Sequence, residues 1–332
     1  MSKKTKRLLL VLELLVILAL GSVLFLVHRQ SQKEDAALNV ESQTKRYQPS
    51  IRYQGNDYPL KRHMSTVLLM GTDNFSDDGK REDLNDLHRN RSLSDLLLIL
   101  VFDHSAKTVT PYQICRDTMC DVSRVNTGGK PIAPLFMQIT FAYTYGTGKE
   151  DSCRNTVETV ENLLYGVPID HYLSFTMDAV PLVNDLVGGV RVTLAHDIPA
   201  LGQDYVKGAT ILLKGSSALR FVRYRDTALL DSNLTRMVNH RLYAEGFTEA
   251  ARSAAQNNPD LAVSIFKKVS PFLCTDLSVN NIQDIVDQLV SYEIRPVVYF
   301  DGTYEMREGE DFPGYYVDEA SLWSSVKSTF CE

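Results

Sequence analysis

Three apolar runs in the first half of the chain have the pattern of strands in a sheet that is covered on both faces. Each run is short and continuous, whereas a strand with one solvent-exposed face alternates between apolar and polar residues. The runs occupy residues 65–71, 94–103 and 108–115. Further strands are predicted at 171–176 and 190–194. The pattern therefore predicts a sheet built largely from the first 200 residues.

Stretches with apolar residues three and four positions apart lie among these strands and predict helices. One covers residues 152–165 and ends before Gly166 and Pro168, which cannot continue a helix. Other helices are predicted at about 215–222, 233–256, 261–273, 279–293 and 318–330. A strand-like F-V-R-Y-R at 221–225 and a strand at 296–300 complete the pattern. This alternation predicts an α/β fold, with helices on both faces of a mixed sheet.

The N-terminal segment 8–27 is long and apolar enough to cross a membrane. Its twenty residues span about 30 Å as a helix, the hydrocarbon thickness of a bilayer. Only Glu13 is charged, and four basic residues precede the segment, which places the N-terminus in the cytoplasm. A cleaved signal peptide has a shorter apolar region, followed by small residues at the cleavage site. This chain has a longer apolar region and no such small residues after it. We expect a cytoplasmic tail at 1–7 and a single uncleaved transmembrane helix at 8–27.

Charge and cysteine content exclude several classes of protein. From residue 28 onward the chain has 31 basic and 40 acidic residues, a net charge of −9. Nonspecific nucleic-acid binding needs a positive footprint, so nucleic acid is not an expected partner. The five cysteines contain no C-x-x-C pair, which argues against a structural zinc site. Their odd number excludes complete pairing, and the sequence leaves open whether two of them form a disulfide.

Charged residues lie at the ends of the three apolar runs. Asp73 follows the first, Asp95 begins the second, and Arg116 and Asp117 follow the third. A carboxylate at the end of a buried strand is poorly solvated and needs a cation. Asp73 and Asp95 offer the hard oxygen ligands that suit Mg²⁺.

A second group of charges is rich in arginine. Arg223 and Arg225 lie two residues apart on a predicted strand and would share one face. Paired guanidinium groups bind phosphate oxygens in a bidentate manner, and Arg236 on the following helix is placed to join them. Taken singly, each piece also fits a solvated strand face or an ordinary salt bridge.

In their order along the chain, these clusters resemble the LytR–CpsA–Psr family of bacterial cell-envelope proteins. The resemblance covers about residues 64–247, and residues 260–332 resemble a C-terminal extension of clostridial-type members. The matching motifs are L-L-M-G-T-D (68–73), S-D-L-L-L-I-L (94–100), R-D-T-M (116–119), A-Y-T-Y-G (142–146), T-V-E-N-L-L-Y-G-V-P-I-D-H-Y (159–172), D-A-V-P-L-V-N-D-L-V-G-G-V (178–190), L-K-G-S-S-A-L-R-F-V-R-Y-R (213–225) and D-S-N-L-T-R-M (231–237).

The resemblance implies a fold, an activity and a location. The fold would be an α/β/α sandwich around a central mixed sheet, with an apolar pocket for a lipid chain. The activity would be transfer of a glycopolymer from a polyprenyl-pyrophosphate carrier onto peptidoglycan, outside the cell membrane of a Gram-positive type of envelope. It implies a catalytic domain at 63–256 and an α/β extension at 257–332 that packs on it, while the polar, aperiodic residues 28–62 predict an extracytoplasmic stalk.

The resemblance also implies roles for individual residues. Asp73 and Asp95 would coordinate Mg²⁺, or Mn²⁺ in its place. Asp117 would act as a catalytic base or orient the catalytic Arg116. The residues expected to bind the pyrophosphate are Arg91, Arg116, Arg223, Arg225 and Arg236.

Besides Cys115, which stands where the family usually has a proline or a polar residue before R-D-T, three positions depart from the family pattern. Leu93 stands where the family usually has arginine, which Arg91 or Arg89 would replace from further back. Asn239 and His240 stand where arginine and glutamine are common. These departures support an alternative, a non-catalytic envelope regulator or scaffold that binds polyprenyl-linked intermediates. The motifs do not distinguish teichoic acid from capsule or another wall glycan.

Overall fold

A computed structural model describes the chain from residue 50 onward, with gaps. The described residues are 50–73, 92–126, 128–226, 229, 231–257, 268–278, 281, 284–285, 288–289, 291–308 and 312–332. The predicted transmembrane segment 8–27 and Arg91 lie outside them. Within these ranges, no helix has both the length and the apolar character needed to span a bilayer.

The strands form one large sheet and four hairpin-like pairs. They are β1 (Ser50–Tyr53), β2 (Asn56–Pro59), β3 (Met64–Thr72), β4 (Ser94–Asp103), β5 (Thr108–Ile114), β6 (Met119–Val125), β7 (Pro131–Gln138), β8 (His171–Thr176), β9 (Val190–Thr193), β10 (Thr210–Leu213), β11 (Leu273–Thr275), β12 (Glu293–Ile294), β13 (Val298–Tyr299), β14 (Gly302–Glu305) and β15 (Gly314–Val317). The large sheet has the order β11-β8-β3-β4-β5-β12, and β13 also pairs with β5. Since β3 is parallel to β8 and antiparallel to β4, the expected mixed α/β fold with a central mixed sheet is confirmed.

Packed side chains cover both faces of this sheet. The helices are α1 (Lys149–Leu163), α2 (Ala179–Leu186), α3 (Ser216–Arg223), α4 (Ser232–Asn257) and α5 (Glu319–Phe330). On one face, Val160 of α1 and Val326 of α5 belong to the same core as Leu68 of β3. On the other face, Leu289 lies in a helical segment and packs with Leu100 of β4. Helices α2 to α4 share a separate core with the β9–β10 pair.

Two predictions of secondary structure were wrong in part. Residues 221–225 are not a strand, because α3 continues to Arg223 with Ala218, Phe221 and Val222 buried at helical spacing. The helix predicted at 261–273 does not reach its expected end. A 3₁₀ turn at 270–272 contains a proline, and Leu273 begins β11, which pairs with the edge of β8.

Among the short antiparallel pairs, the apolar pattern indicated β9 but not its partner β10, nor the pairs β1–β2, β6–β7 and β14–β15. In the first pair, β1 and β2 are joined by Gln54 and Gly55, both at positive φ, as a tight two-residue hairpin requires. Tyr53 stacks on Trp323 of α5, with ring centroids 4.0 Å apart. Residues 50–60 therefore pack on the folded part of the chain.

Candidate functional site

The sheet topology brings the three predicted charged strand ends to one edge. Strands β3 and β5 are both antiparallel to β4, so the C-terminal ends of β3 and β5 lie beside the start of β4. Asp73, Asp95, Arg116 and Asp117 therefore share this edge. The C-terminal end of β8, which runs parallel to β3, lies there too.

A β-bulge places Asp95 in the centre of the charged cluster. Opposite β4, Gly71 pairs with Leu96 and Thr72 pairs with Ser94, so Asp95 is the extra residue. Its carboxylate forms ion pairs with Arg116 and with Arg236, whose Nη1 is 3.1 Å from Oδ1. Burial alone would raise the pKa of Asp95, but the two guanidinium groups hold it below its usual value. Asp95 is therefore ionised and ties β4, β5 and α4 together.

Asp73 lies at the more open side of the cluster. Nη2 of Arg223 is 3.3 Å from its Oδ1, and the side chain of Asp73 is 27% exposed. Burial raises the pKa of Asp73, and the nearby carboxylate of Asp95 raises it further. The two carboxylates are thus close enough to repel each other, a repulsion that a bound cation would relieve.

Asp117 is held by its neighbour Arg116 and by a residue from a distant part of the chain. Its Oδ1 lies 3.5 Å from Nε of Arg116, and its Oδ2 accepts a 3.1 Å hydrogen bond from the hydroxyl of Tyr304. Burial raises the pKa of Asp117 despite these partners. Sequence reasoning missed Tyr304, which belongs to β14 and carries no motif.

The arginines reach the cluster from α3, the segment after it, and α4. Arg223 is the last residue of α3, and the extended Tyr224 separates it from Arg225, so the two do not share the face of a strand as predicted. The charge of Arg225 acts on both Asp117 and Arg236. Arg236 is buried, whereas the side chain of Arg223 is 51% exposed. The structure thus brings together all the predicted site residues that it describes.

The positions that depart from the family pattern lie against this cluster. Nε2 of His240 is 2.9 Å from the carbonyl oxygen of Val222, near the end of α3. Burial and the charge of Arg236 lower the pKa of His240 to about 4, so His240 is neutral at pH 7 and donates this hydrogen bond. Asn239 is fully buried, and its amide has no hydrogen-bond partner among the described residues.

An apolar cavity opens beside the arginines. It contains about 1220 Å³ of non-protein space, including its mouth, and lies between one face of the sheet and helices α2 and α4. Its walls include Leu98, Leu173, Phe175, Val183, Tyr243 and Phe247. Leu96, Val222 and His240 also line it, and these residues adjoin Asp95, Arg223 and the Arg236 turn of α4. The cavity and the charged cluster are therefore neighbours, and His240, which lines the cavity, is within range of the charges of Arg236 and Asp95.

A metal ion at this site would have to draw on few protein ligands. Among the described residues, no group of three or more His, Cys, Asp and Glu side chains is arranged to hold a metal. Asp73 and Asp95 supply two carboxylates whose charges repel. This donor set fits Mg²⁺, which commonly uses one or two carboxylates together with water and substrate phosphates.

Comparison with protein families gives a match across nearly the whole chain. The model of the LytR_cpsA_psr family matches residues 23–327. Among curated proteins, the chain is 31% identical over 160 residues to the polyisoprenyl-teichoic acid–peptidoglycan teichoic acid transferase TagU of Halalkalibacterium halodurans, which covers 48% of this chain and 44% of that protein. It is 27% identical over 260 residues to the TagU of Enterococcus faecalis, covering 77% and 76% of the two chains. The matched segment thus spans less than half of the first of these relatives.

Solved structures share the fold at lower sequence identity. A protein from Streptococcus agalactiae superposes with a TM-score of 0.61 at 18% identity, covering 80% of this chain and 87% of that one. TagV of B. subtilis gives 0.58 at 22% identity, covering 81% and 98%. A structure described as TagT bound to LI-WTA gives 0.56 at 20% identity, covering 81% and 90%. At these identities, the structural likeness establishes the fold alone.

Proposed function

The chain belongs to the LytR–CpsA–Psr family, and from that premise we propose that it is a phosphotransferase that moves a glycopolymer from a polyprenyl-pyrophosphate carrier onto peptidoglycan. The observation that carries the proposal is that an apolar cavity lies beside a cluster of four arginines, since His240 lines the cavity and is also close enough to Arg236 to feel its charge. A carrier of this class has an apolar chain and a charged pyrophosphate, and the site offers a matching surface to each.

The apolar part of the proposed ligand matches the cavity walls. Polyprenyl chains expose only hydrocarbon, and each buried CH₂ contributes about 0.8 kcal/mol. Along α4, Tyr243 and Phe247 face the cavity four residues apart, so one side of the helix lines it. Phe175 of β8 and Val183 of α2 supply the opposing walls.

The arginines match the pyrophosphate and set its position. Arg223 is half exposed and Arg225 adjoins it, so these two are the first to meet the phosphates. Arg116 and Arg236 are more deeply buried and are neutralised in part by Asp95. We propose that Arg223 and Arg225 bind the phosphate oxygens directly, and that Arg116 and Arg236 present a fixed positive field behind them.

The names of the curated relatives narrow the class of polymer. Each of the three matching relatives is named as a teichoic acid transferase. We therefore propose a teichoic acid as the transferred polymer in preference to a capsule.

We further propose a magnesium requirement. Asp73 and Asp95 would hold the ion together with phosphate oxygens of the substrate, and Mn²⁺ would be able to replace it. When bound, Mg²⁺ supplies positive charge that stabilises the phosphates during transfer.

In the proposed reaction, a sugar hydroxyl of peptidoglycan attacks the phosphorus atom that carries the glycopolymer. A new phosphorus–oxygen bond forms, the bond to the bridging oxygen breaks, and polyprenyl phosphate leaves. The pyrophosphate is already activated, so the protein contributes mainly positioning and charge stabilisation. Asp117, whose pKa is raised by burial, is placed to accept the hydroxyl proton or to orient Arg116.

The proposed substrates place the reaction at the outer surface of a membrane. We propose that the apolar segment 8–27 anchors the chain there, with its N-terminus in the cytoplasm and the folded part outside. This arrangement would keep the cavity close to the carrier lipid.

Lipid co-purification tests the binding half of the proposal. The full chain would be purified from bacteria in detergent, extracted with organic solvent, and the extract examined by mass spectrometry. We expect a polyprenyl phosphate or pyrophosphate in the wild type and in Arg220→Ala, and its loss in the double variant Arg223→Ala, Arg225→Ala. Arg220 lies on the exposed side of the same helix and controls for lost charge. If no sample, the wild type included, contained such a lipid, the proposal would be contradicted.

A further inference from the structure

The hairpin formed by β14 and β15 is attached directly to the loop that carries Arg116 and Asp117. The backbone N–H of Tyr315 donates a 2.8 Å hydrogen bond to the carbonyl oxygen of Asp117. Thr118, the next residue, forms a bridge with the same tyrosine. The backbone on one side of the candidate site thus depends on a hairpin almost 200 residues further along the chain.

Tyr304 of this hairpin also contacts the carboxylate itself. Its hydroxyl donates to Oδ2 of Asp117 at 3.1 Å and lies 3.0 Å from Sγ of Cys115. Its ring packs on that of Tyr315, with centroids 5.1 Å apart. Burial raises the pKa of Tyr304, so its hydroxyl stays protonated and remains a donor at any pH that the protein meets.

The two oxygens of Asp117 consequently have different partners. Oδ1 faces Nε of Arg116 at 3.5 Å, and Oδ2 is occupied by Tyr304. Rotation of the carboxylate would break the bond to Tyr304 and move Oδ1 away from the guanidinium group. The Tyr304 hydroxyl therefore fixes the orientation of the Asp117 carboxylate, whereas Arg116 is also held by its ion pair with Asp95.

We propose that Tyr304 is a positioning residue for the transfer reaction, which holds the Asp117 carboxylate in a fixed orientation against Arg116. The inference rests on the proposed function and deepens it, because it makes the C-terminal hairpin a working part of the site.

The test compares Tyr304→Phe with the wild type in the full chain, solubilised in detergent micelles. The variant keeps the ring and its packing but removes the hydroxyl. With a polyprenyl-pyrophosphate-linked teichoic acid as donor and peptidoglycan as acceptor, we expect kcat to fall about tenfold, which corresponds to the loss of one hydrogen bond. The KM for the lipid donor should stay unchanged, because the arginines and the cavity are untouched.

Tyr292→Phe is the matched control. Tyr292 forms a hydrogen bond through its hydroxyl with Nδ1 of His104, near the opposite end of β4, so the variant loses a bond of the same kind outside the site. We expect it to keep the wild-type kcat. Equal losses in the two variants would overturn the proposal, as would a Tyr304→Phe enzyme with unchanged kcat.

A second readout does not depend on activity. In protein labelled with ¹³C at the aspartate side-chain carboxyl, the signal of Asp117 is identified by its loss in Asp117→Asn, and its pH titration is followed by NMR. The bond from Tyr304 lowers the pKa of Asp117, so Tyr304→Phe should move the midpoint to higher pH. The guanidinium groups that also act on Asp117, those of Arg116, Arg225 and Arg236, are present in both proteins.

The two readouts separate the positioning role from the proposed function. A midpoint that stays in place in Tyr304→Phe overturns the positioning role, whatever the enzyme does. If the wild type shows no transfer but the midpoint moves as expected, the contact is supported and the proposed reaction fails.

Discussion

Oδ1 of Asp95 lies 3.1 Å from Nη1 of Arg236, and both side chains are only 6% exposed. Arg116 pairs with the same carboxylate, so one buried anion is shared by two buried cations. Removal of a single partner from a buried ion pair leaves an uncompensated charge, which typically costs about 3–5 kcal/mol. We therefore expect the cluster to be needed for the stability of the fold as well as for binding.

Asp95→Asn should lower the free energy of unfolding by about 3–5 kcal/mol, measured by urea denaturation in the presence of a chelator. The control is Asp57→Asn, which breaks the pair between Arg52 and Asp57, whose side chains are 73% and 56% exposed. Asp57→Asn should change the free energy of unfolding very little, because water and salt screen the charges of so exposed a pair. If both variants lost a similar, small amount of unfolding free energy, the charge of Asp95 would not be needed for stability.

Arg223→Ala should separate binding from stability. The Arg223 side chain is 51% exposed and pairs with Asp73 at 3.3 Å, so the free energy of unfolding should change by less than about 1 kcal/mol. Pyrophosphate binding, measured by calorimetry with inorganic pyrophosphate and Mg²⁺, should fall at least tenfold. Arg220→Ala on the same helix should leave both quantities unchanged. Unchanged pyrophosphate affinity in Arg223→Ala would remove this arginine from the site.

Stability should depend on pH through His240. Burial lowers the pKa of His240 to about 4 in the folded protein, below the value of about 6.5 in an unfolded chain. The unfolded state therefore binds a proton first. The stabilisation from the neutral imidazole is complete above about pH 6.5 and is lost as the pH falls towards 4, by at most about 3 kcal/mol.

His240→Gln isolates this contribution, because glutamine does not titrate and its amide still carries a donor for the Val222 carbonyl. Urea denaturation at pH 7 and pH 4.5 should show a smaller loss of stability on acidification in the variant than in the wild type. Equal losses would mean that His240 does not control the acid response.

The five cysteines, which are all free thiols in the structure, should differ widely in reactivity. Burial raises the pKa of Cys115 and of Cys120 to about 12, so almost no thiolate exists at pH 8. Cys274 is only partly buried, and a hydrogen bond with Cys153 lowers its pKa. Peptide mass spectrometry after iodoacetamide treatment at pH 8 should find Cys274 alkylated first. In urea all five should react alike, and early labelling of Cys115 in the native protein would contradict the packing around Tyr304.

The parts of the fold that sequence reasoning predicted are those set by local pattern. Strands β4 and β8 have the predicted bounds, because a continuous apolar run between polar residues defines a strand covered on both sides. The gathering of Asp73, Asp95 and Arg116 also follows from chain order, since antiparallel neighbours return to the same edge of the sheet.

What the sequence did not reveal depends on contacts between distant residues. The pattern F-V-R-Y-R suits a strand, but packing of Phe221 in a core shared with α4 extends α3 over its first three residues, to Arg223. The bulge at Asp95 arises from register against β3, and Tyr304 meets Asp117 across 187 positions. The spacing of residues along a single strand or helix predicts neither the bulge nor the contact.

The most direct test of the central claim is transfer itself. The full chain in detergent micelles would be mixed with a polyprenyl-pyrophosphate-linked teichoic acid, peptidoglycan and Mg²⁺, and both released polyprenyl phosphate and polymer bound to peptidoglycan would be measured. We predict equal amounts of the two products, loss of both with a chelator, and loss of both in the variant Arg223→Ala, Arg225→Ala. Tight binding of the lipid donor without either product would contradict the transferase and favour the non-catalytic scaffold.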